Sequence, residues 1–579
     1  MSQTPRILRI NTKDRSFRFE EPGKYAGMGG RGLTSRLILD EVPADVHPLS
    51  ASNKLVASIG LLSGTGAANS GRISVGGKSP LTGTIKESNS GGSFCTKLAR
   101  LNILALVLED KPEPGAPFCN IILTKDGVRF EDAGDMTGMG TYAAMDAIAE
   151  RHGKKACGMV IGPAGEACLT AASIQFSDPW GRPARAAGRG GLGAVMGSKK
   201  VKAIVLDDEG GARFGYADEE AFKTASKRWA EMLRAHPVTG QGLPGFGTAV
   251  LVNIINEAGA FPTKNFRTGR CDHAARISGE TIAEFIEKRG GKTKEGCHPG
   301  CIIQCSQNYV DEKGGYVTSG FEYETVWAFG GNALIQDIDA IARLDRACDD
   351  LGVDTIETGN AVAIAMDGGV IPWGDGEAAL KLLYRMADKN DHLGKIMGSG
   401  VGFAAQAFGV DRVPTVKNQS LPAYDPRSAK GIGVTYATTT MGADHTAGYA
   451  ICQNMLQVGG HVNPLGKEGQ VETSKALQVA TATVDALGLC LFVAFAVLDT
   501  ADSVQCICDM VSARHGITFT PDDFVKLGTS VLKDEIAFNT KAGFTAADDQ
   551  LPAFFSTEPL APHNTVWDFT VEELQQAKV

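Results

Sequence analysis

Three cysteines at four-residue intervals, Cys297, Cys301 and Cys305, open the stretch Gly296 to Gly330, and Glu322-Tyr323-Glu324 follows them within it. Thiolates are soft metal donors, and two carboxylates around a phenol are acid–base groups. Sulfur ligation placed beside acid–base chemistry predicts an iron–sulfur cluster next to the reacting centre of a redox enzyme. Such a cluster usually takes four ligands. The loop offers three, and the best candidate for the fourth is Cys490 in Asp485-Ala-Leu-Gly-Leu-Cys490. Pro299 and Gly300 predict a loop that wraps something, since a regular helix would not place that pair there. Two plainer readings compete: small buried apolar residues, or a zinc site, for which His298 has the wrong spacing to complete a CxxC knuckle.

Three glycine-rich runs carry cations. They are Gly27 to Leu33 with Arg31; Ser70 to Gly83 with Arg72 and Lys78, continuing from Glu87 to Gly92; and Arg185 to Lys199 with Arg189. Glycine lets backbone N–H groups approach a phosphate, and arginine adds a forked charge. Three runs therefore predict a ligand with more than one phosphate, against a plain reading as turns. The third run holds a literal GxGxxG at Gly188, Gly190 and Gly193. The dinucleotide fingerprint needs a strand before it, and Ser177 to Pro183 is no strand. His445, after a Gly/Thr-rich loop from Gly431, is a candidate proton donor or acceptor, although a lone histidine is more often structural.

The elements that must position these groups follow from the patterning. Residues 1–205 read as mainly β, with hairpins around Lys13-Asp14 and Asp126-Gly127, a strand from Val201 to Leu206, and glycine-rich breaks. From about residue 210 the pattern turns helical. Ile338, Ile341, Leu344, Cys348 and Leu351 recur at helical spacing behind Asp337 as cap, and the helix ends at Gly352. The pattern Asp-x-x-Gly-x-(Asp or Cys) occurs at Asp349 to Asp354 and again at Asp485 to Cys490, predicting two related helical parts that grip two halves of one ligand. Charged residues near 210–235 and 375–395 read as solvated helix faces, Leu487 to Leu498 as a buried helix, and Asp548 to Val579 as a surface tail ending in a short helix.

Composition bounds the rest. The 579 residues exceed one ordinary core, and 43% hydrophobic with 21% charged residues is usual for a soluble globular protein. A net charge of −9 argues against a nucleic-acid surface. The 13 cysteines form no framework outside the cluster loop, which suits a reducing compartment. Without an apolar export segment, or a run of about 18 apolar residues, the expectation is a cytoplasmic protein with no membrane insertion.

Together the Arg72-to-Gly83 run with its KSPLTG, the SNSGG run, the ARAAGRGGLGAVMGSK run, the cysteine loop, the EYET box and the paired Asp-x-x-Gly motifs resemble the aldehyde:ferredoxin oxidoreductase family over nearly the whole chain. The resemblance implies an α+β protein: a β-rich pterin-binding domain (1–209), a helical domain with the cluster loop (210–415) and a second helical domain with the histidine (416–579). It implies tungsten, or molybdenum, held by two pterins (tungstopterin), one 4Fe–4S cluster, and a magnesium ion bridging the pterin phosphates. Arg72, Asn89, Gly91, Arg185, Ala186, Gly188 and Arg189 would contact the pterins from the first domain. Asp349, Val353, Asp354, Asp485 and Leu489 would hold them from the helical domains. Cys297, Cys301, Cys305 and Cys490 would ligate the cluster, and Glu324 and His445 would stand by the metal.

The implied reaction is oxidation of an aldehyde to a carboxylic acid, with ferredoxin, or ferredoxin-like and flavin subunits, taking the electrons from a homodimer or hetero-oligomer. Archaeal members space the first two cysteines more tightly, so the even spacing here resembles bacterial-type members. Alternatives stay open: a subunit of the same family that reduces an aromatic thioester ring or oxidises a sugar, or a non-catalytic iron–sulfur electron-transfer subunit. The first would differ in pocket-lining residues outside the motifs, and the second would lack the heavier metal.

Overall fold

Two six-stranded sheets occupy the first third of the chain in the computed structural model, which describes residues 5–212 and 215–579. Residues 1–4, where the stretch read for an export segment begins, and 213–214, within the first charged stretch, lie outside the described residues. The first sheet comprises Arg6–Asn11 (β1), Ser16–Glu20 (β2), Leu55–Ile59 (β3), Ile73–Lys78 (β4), Ile85–Ser90 (β5) and Ile103–Glu109 (β6), in the order β2-β1-β6-β3-β4-β5. The second comprises Cys119–Thr124 (β7), Gly127–Asp132 (β8), Cys157–Val160 (β9), Ile174–Phe176 (β10), Arg185–Ala187 (β11) and Val201–Leu206 (β12), in the order β11-β10-β9-β12-β7-β8. Central strands β3 and β12 are buried on both faces, which is why they read as near-continuous apolar runs. Side chains of both sheets, including Leu8, Val56, Leu106, Ile121 and Ile204, meet in one apolar core.

The second glycine-rich run does not break the β pattern, contrary to the sequence reading. It supplies the paired strands β4 and β5, from Ile73↔Ser90 to Lys78↔Ile85. Its glycines serve packing: a Cβ on Gly76 would come within 2.6 Å of Thr34 Cβ, on the helix Gly30–Glu41 that lies across the strand. The GxGxxG of the third run does follow a short strand, β11, and opens the helix Leu192–Ser198. Yet β11 pairs antiparallel with β10, and β12 pairs with β9 and β7 rather than with β11, so this run does not form the βαβ unit of a dinucleotide site.

The remainder is helical apart from two small sheets missing from the sequence reading: the three strands Lys292–Glu295 (β13), Ser306–Val310 (β14) and Tyr316–Ser319 (β15), and the pair Thr415–Val416 and Gln419–Ser420. The cysteine loop is the connection from β13 to β14. The helix Ile338–Leu351 forms as expected, with the Asp337 side chain accepting from Asp339 N and Gly352 left-handed at φ +69°. Its stripe of Ile338, Ile341, Leu344, Cys348 and Leu351 is buried, each aliphatic side chain adding about 1.5–3 kcal/mol.

Three expectations fail in instructive ways. Leu487 to Leu498 is not one helix, because Gln470–Leu487 ends at left-handed Gly488 and a new helix, Ala494–Asp499, starts beyond it. The Gly/Thr-rich stretch from Gly431 is a loop only from Thr439 on; its first part is the buried helix Lys430–Thr438, where Gly433 makes room for the Trp567 ring. The tail from Asp548 is not superficial, since Phe555, Leu560 and Trp567 are buried. Among the described residues no single helix is long and apolar enough to cross a membrane.

Candidate cluster and cofactor site

The four candidate cysteine ligands, from two distant segments, line one cavity of about 320 Å3. Cys297, Cys301 and Cys305 come from the β13–β14 connection and Cys490 from the turn after Gln470–Leu487. Asn69 fastens the segments together. Its backbone N donates to Gly300 O (3.0 Å) and its O accepts from Cys490 N (2.8 Å). Its side-chain Oδ1 accepts from Ile302 N (3.1 Å), and Nδ2 donates to Cys301 Sγ (3.5 Å). Cys297 Sγ, a His298 ring nitrogen and Cys301 Sγ lie within 4.8 Å of one another, so His298, dismissed on spacing, is a neighbour of the sulfurs after all. Its Nδ1 is 3.2 Å from Cys297 Sγ.

Each Asp-x-x-Gly motif is a helix C-terminus docked on the backbone that leads into a strand, β10 at the first and β4 at the second. At the first, Gly352 O accepts from Ser173 N (2.8 Å) and Asp354 N donates to Ala171 O (3.0 Å). At the second, Gly488 O accepts from Arg72 N (3.2 Å) and Cys490 N donates to Asn69 O. Both glycines are left-handed, φ +69° and +76°, and both approaches need bare backbone. A Cβ on Gly162 would sit 2.3 Å from Leu351 O, and one on Gly60 would sit 2.1 Å from Gly488 N. The paired motifs thus occupy matching places on the two sheets.

Of the residues singled out in sequence, Arg72, Gly91, Arg185, Ala186, Asp349, Val353 and Asp354 line the cavity with the cysteines, Glu324 and His445. Gly91 is a tight point: a Cβ there would be 3.2 Å from Arg72 Nη1 and from Cys297 Sγ. Asn89, Gly188, Arg189, Asp485 and Leu489 stand behind that wall. Asn89 Oδ1 accepts from Arg72 Nε (2.5 Å) and orients it. Gly188 backs onto Asp354, since a Cβ there would lie 3.1 Å from its Oδ1. Arg189 donates to Ala443 O and Ser420 O, both 2.6 Å, which ties the third glycine-rich run to the C-terminal part. Asp485 lies 3.2 Å from Arg31 Nη1, and Arg31 is also held by Glu535 at 2.9 Å. Leu489 is fully buried.

Glu324 sits in the first turn of the helix Tyr323–Phe329. One oxygen, Oε2, accepts from Ala423 N (2.9 Å), while Oε1 lies 3.5 Å from His445 Nε2 without a hydrogen bond. Burial pushes the Glu324 carboxyl up to about 8, which its bond from Ala423 N only partly opposes. Burial also pushes His445 down to about 4 against the pull of Asp444. Near neutrality the pair is a carboxylic acid beside a neutral imidazole. Tyr323, on the cavity wall, is buried and donates its hydroxyl to Ala423 O (2.8 Å). Tyr424 and Tyr449, whose hydroxyls are 2.6 Å apart, complete an aromatic wall around His445.

Sequence reasoning missed Asn69, Asp345, Tyr424 and Tyr449. Asp345 could have been found, because it stands one helical turn before Asp349 on the cavity face. Burial pushes it up to about 7 although Thr318 donates to it. Glu322, also on the wall, is raised to about 7 by burial despite accepting from Thr248 Oγ1 (2.5 Å).

The donor set fits a cluster and an anionic organic group. Four buried thiols face one space, and burial raises Cys305 and, to about 11, Cys490, so a cation is needed to keep them as thiolates. Arg185 Nε, on the cavity wall with Gly91, is a buried donor without a hydrogen-bond partner among the described residues. Orphaned donors of this kind call for a ligand acceptor.

The chain matches the family model "Aldehyde ferredoxin oxidoreductase, N-terminal domain" over residues 7–208 and "Aldehyde ferredoxin oxidoreductase, domains 2 & 3" over residues 224–577. It is 37% identical to a tungsten-containing aldehyde ferredoxin oxidoreductase of Pyrococcus furiosus, across 96% of this chain and 92% of that protein. The same identity and coverage hold for the protein of that description from Thermococcus kodakarensis. Among solved structures, the active site complex BamBC of benzoyl coenzyme A reductase with 1,5 dienoyl-CoA has the same fold. The TM-score is 0.80 at 20% identity, covering 99% of this chain and 93% of that one.

Proposed function

The chain belongs to the aldehyde ferredoxin oxidoreductase family, and from that premise we propose that it oxidises aldehydes to carboxylic acids at a tungsten bis-pterin centre. Molybdenum would take the same sulfur shell. Electrons would leave through one 4Fe–4S cluster on Cys297, Cys301, Cys305 and Cys490 to ferredoxin or to ferredoxin-like and flavin subunits. The observation that carries the reading is the convergence of those four cysteines with Glu324 and His445 on one cavity.

When bound, the pterin-held metal supplies a Lewis acid and two-electron acceptor, and the cluster supplies one-electron steps outward. The chain does the rest. Arg72 and Arg185 offer cationic donors to pterin phosphates, with Asn89 fixing Arg72, and the magnesium ion of the same proposal would lie between those phosphates. Asp349, Val353 and Asp354 would hold one pterin, and Asp485 and Leu489 would support the other. In the overall reaction one water adds, one C–H bond breaks, a C–O bond forms, and two electrons and two protons leave. Glu324, once ionised, takes a proton from the attacking water at Oε1. His445 hydrogen-bonds the carbonyl oxygen and stabilises its growing negative charge. Tyr424 and Tyr449 shield the spot from bulk water. The division 1–209, 210–415 and 416–579 and a cytoplasmic location belong to the same proposal.

Protein purified without oxygen, from cells supplied with both metals, should hold about four irons and one tungsten or molybdenum per chain. It should oxidise members of an aldehyde panel with an artificial one-electron acceptor. Iron without the heavier metal would instead identify an electron-transfer subunit, and a fully loaded chain inert toward every aldehyde would turn the reading to another substrate.

A further inference from the structure

We propose that Asn69 is a positioning residue that sets the reduction potential of the cluster, through the hydrogen bond from its side-chain amide to the Cys301 sulfur. The inference rests on the cluster reading above. Asn69 is fully buried, and all four of its polar groups are engaged: N by Gly300, O by Cys490, Oδ1 by Ile302 and Nδ2 by Cys301. The amide cannot be flipped without facing Oδ1 to the sulfur and two N–H groups to the Ile302 N–H. The orientation is thus fixed by the backbone of the very loop that carries the sulfur. A left-handed φ of +60°, which asparagine tolerates better than most residues, brings the amide there.

Cys301 Sγ has one other donor among the described residues, Gln304 N at 3.4 Å, a backbone group that no substitution at position 69 removes. The Asn69 amide is therefore the adjustable half of the sulfur's hydrogen bonding. Donation to a cluster thiolate stabilises the more negative, reduced state and raises the potential. Because Asn69 O also receives Cys490 N, the residue that tunes the loop sulfur is the one that holds the fourth ligand's backbone against it.

The test uses the full-length, metal-loaded protein and two variants that accept a left-handed φ. Asn69→Gly deletes the donor, and Asn69→Asp keeps the shape but puts an anionic acceptor against the sulfur. Iron and tungsten are measured first, then the cluster midpoint by a redox titration followed by electron paramagnetic resonance. We expect both midpoints to shift below that of the parent, the aspartate further. Midpoints equal to the parent's at full iron would overturn the proposal. Loss of iron from both variants in folded, tungsten-loaded protein would also overturn it, because the side chain would then be required for the cluster rather than tune it. If one variant loses iron, the other decides. A parent protein without iron would remove the cluster reading itself before any variant is compared.

Discussion

His445 Nε2 stands 3.5 Å from Glu324 Oε1, and the two form no ion pair at neutral pH. Ionising either in this buried place costs more than their mutual attraction returns: the carboxyl is raised to about 8 and the imidazole lowered to about 4. The pair is held close and uncharged, with Glu324 Oε1 and His445 Nδ1 free of hydrogen bonds among the described residues and available to a ligand.

Replacing Glu324 by glutamine keeps an oxygen for Ala423 N and nearly the same volume. Metal content should be unchanged, and turnover of an aldehyde should fall by about 100-fold or more. Steady-state rates beside elemental analysis of the same sample check this. A variant with full turnover would remove Glu324 from the chemistry.

The rate should depend on pH in one direction only. A base must be ionised, and the raised carboxyl loses its proton only as pH climbs through about 8. The maximal rate should therefore increase from about pH 6 to about pH 9 and then level off. His445 is already neutral across that range and adds no second limb. A bell-shaped profile with its falling side near neutrality would contradict the assignment.

Cys490→Ser leaves the backbone bond from residue 490 to Asn69 O intact but replaces a thiolate with a poor iron ligand. Iron per chain and the cluster's paramagnetic signal should drop sharply while tungsten is largely retained. Iron that stays at the parent level would mean that the fourth ligand lies elsewhere, with His298 the nearest alternative.

Arg31 grips Glu535 with two 2.9 Å hydrogen bonds and reaches Asp485 at 3.2 Å, all three buried. Arg31→Met would leave two carboxylates unpaired, at a cost of about 3–5 kcal/mol. The urea midpoint of the metal-loaded protein should fall accordingly. An unchanged midpoint would show that the two acids simply take up protons.

Gly488→Ala and Gly352→Ala test the docked helix ends. Each position is left-handed, and a Cβ would lie 2.2 Å from Ser63 Oγ at the one and 2.7 Å from Gly162 N at the other. Each should destabilise by upwards of ~1 kcal/mol and lower the tungsten content. A thermal midpoint and elemental analysis read both effects.

The parts legible in sequence were those fixed by local chemistry. Asp337 as cap, Gly352 as stop and the apolar stripe between them mark their helix without any tertiary information. The cysteine spacing marks its loop in the same way. Illegible parts depended on what lies opposite. Gly76 looked like a break because Thr34, whose helix it accommodates, is remote in sequence. Gly433 looked like a loop residue because Trp567 was not yet beside it. Asn69 offers no pattern at all; its role comes from two segments that only folding brings together. Among the cofactor candidates, Arg72 and Arg185 lie on the cavity wall and Arg189 braces it from behind, a difference that residue type could not reveal.

The matched helix ends carry one difference. Asp354 and Cys490 hold the same place in the two copies, each donating its backbone N–H to a carbonyl of the segment that leads into a strand, β10 or β4. Asp354 turns its carboxylate onward to accept from Glu357 N (2.8 Å) and start the next helix, whereas Cys490 turns a thiol into the cavity. A frame that is nearly symmetric about its ligand thereby acquires a direction. One side is closed by a helix start, and the other opens on sulfur, which under the proposed function would give a charge released midway its conducting way out.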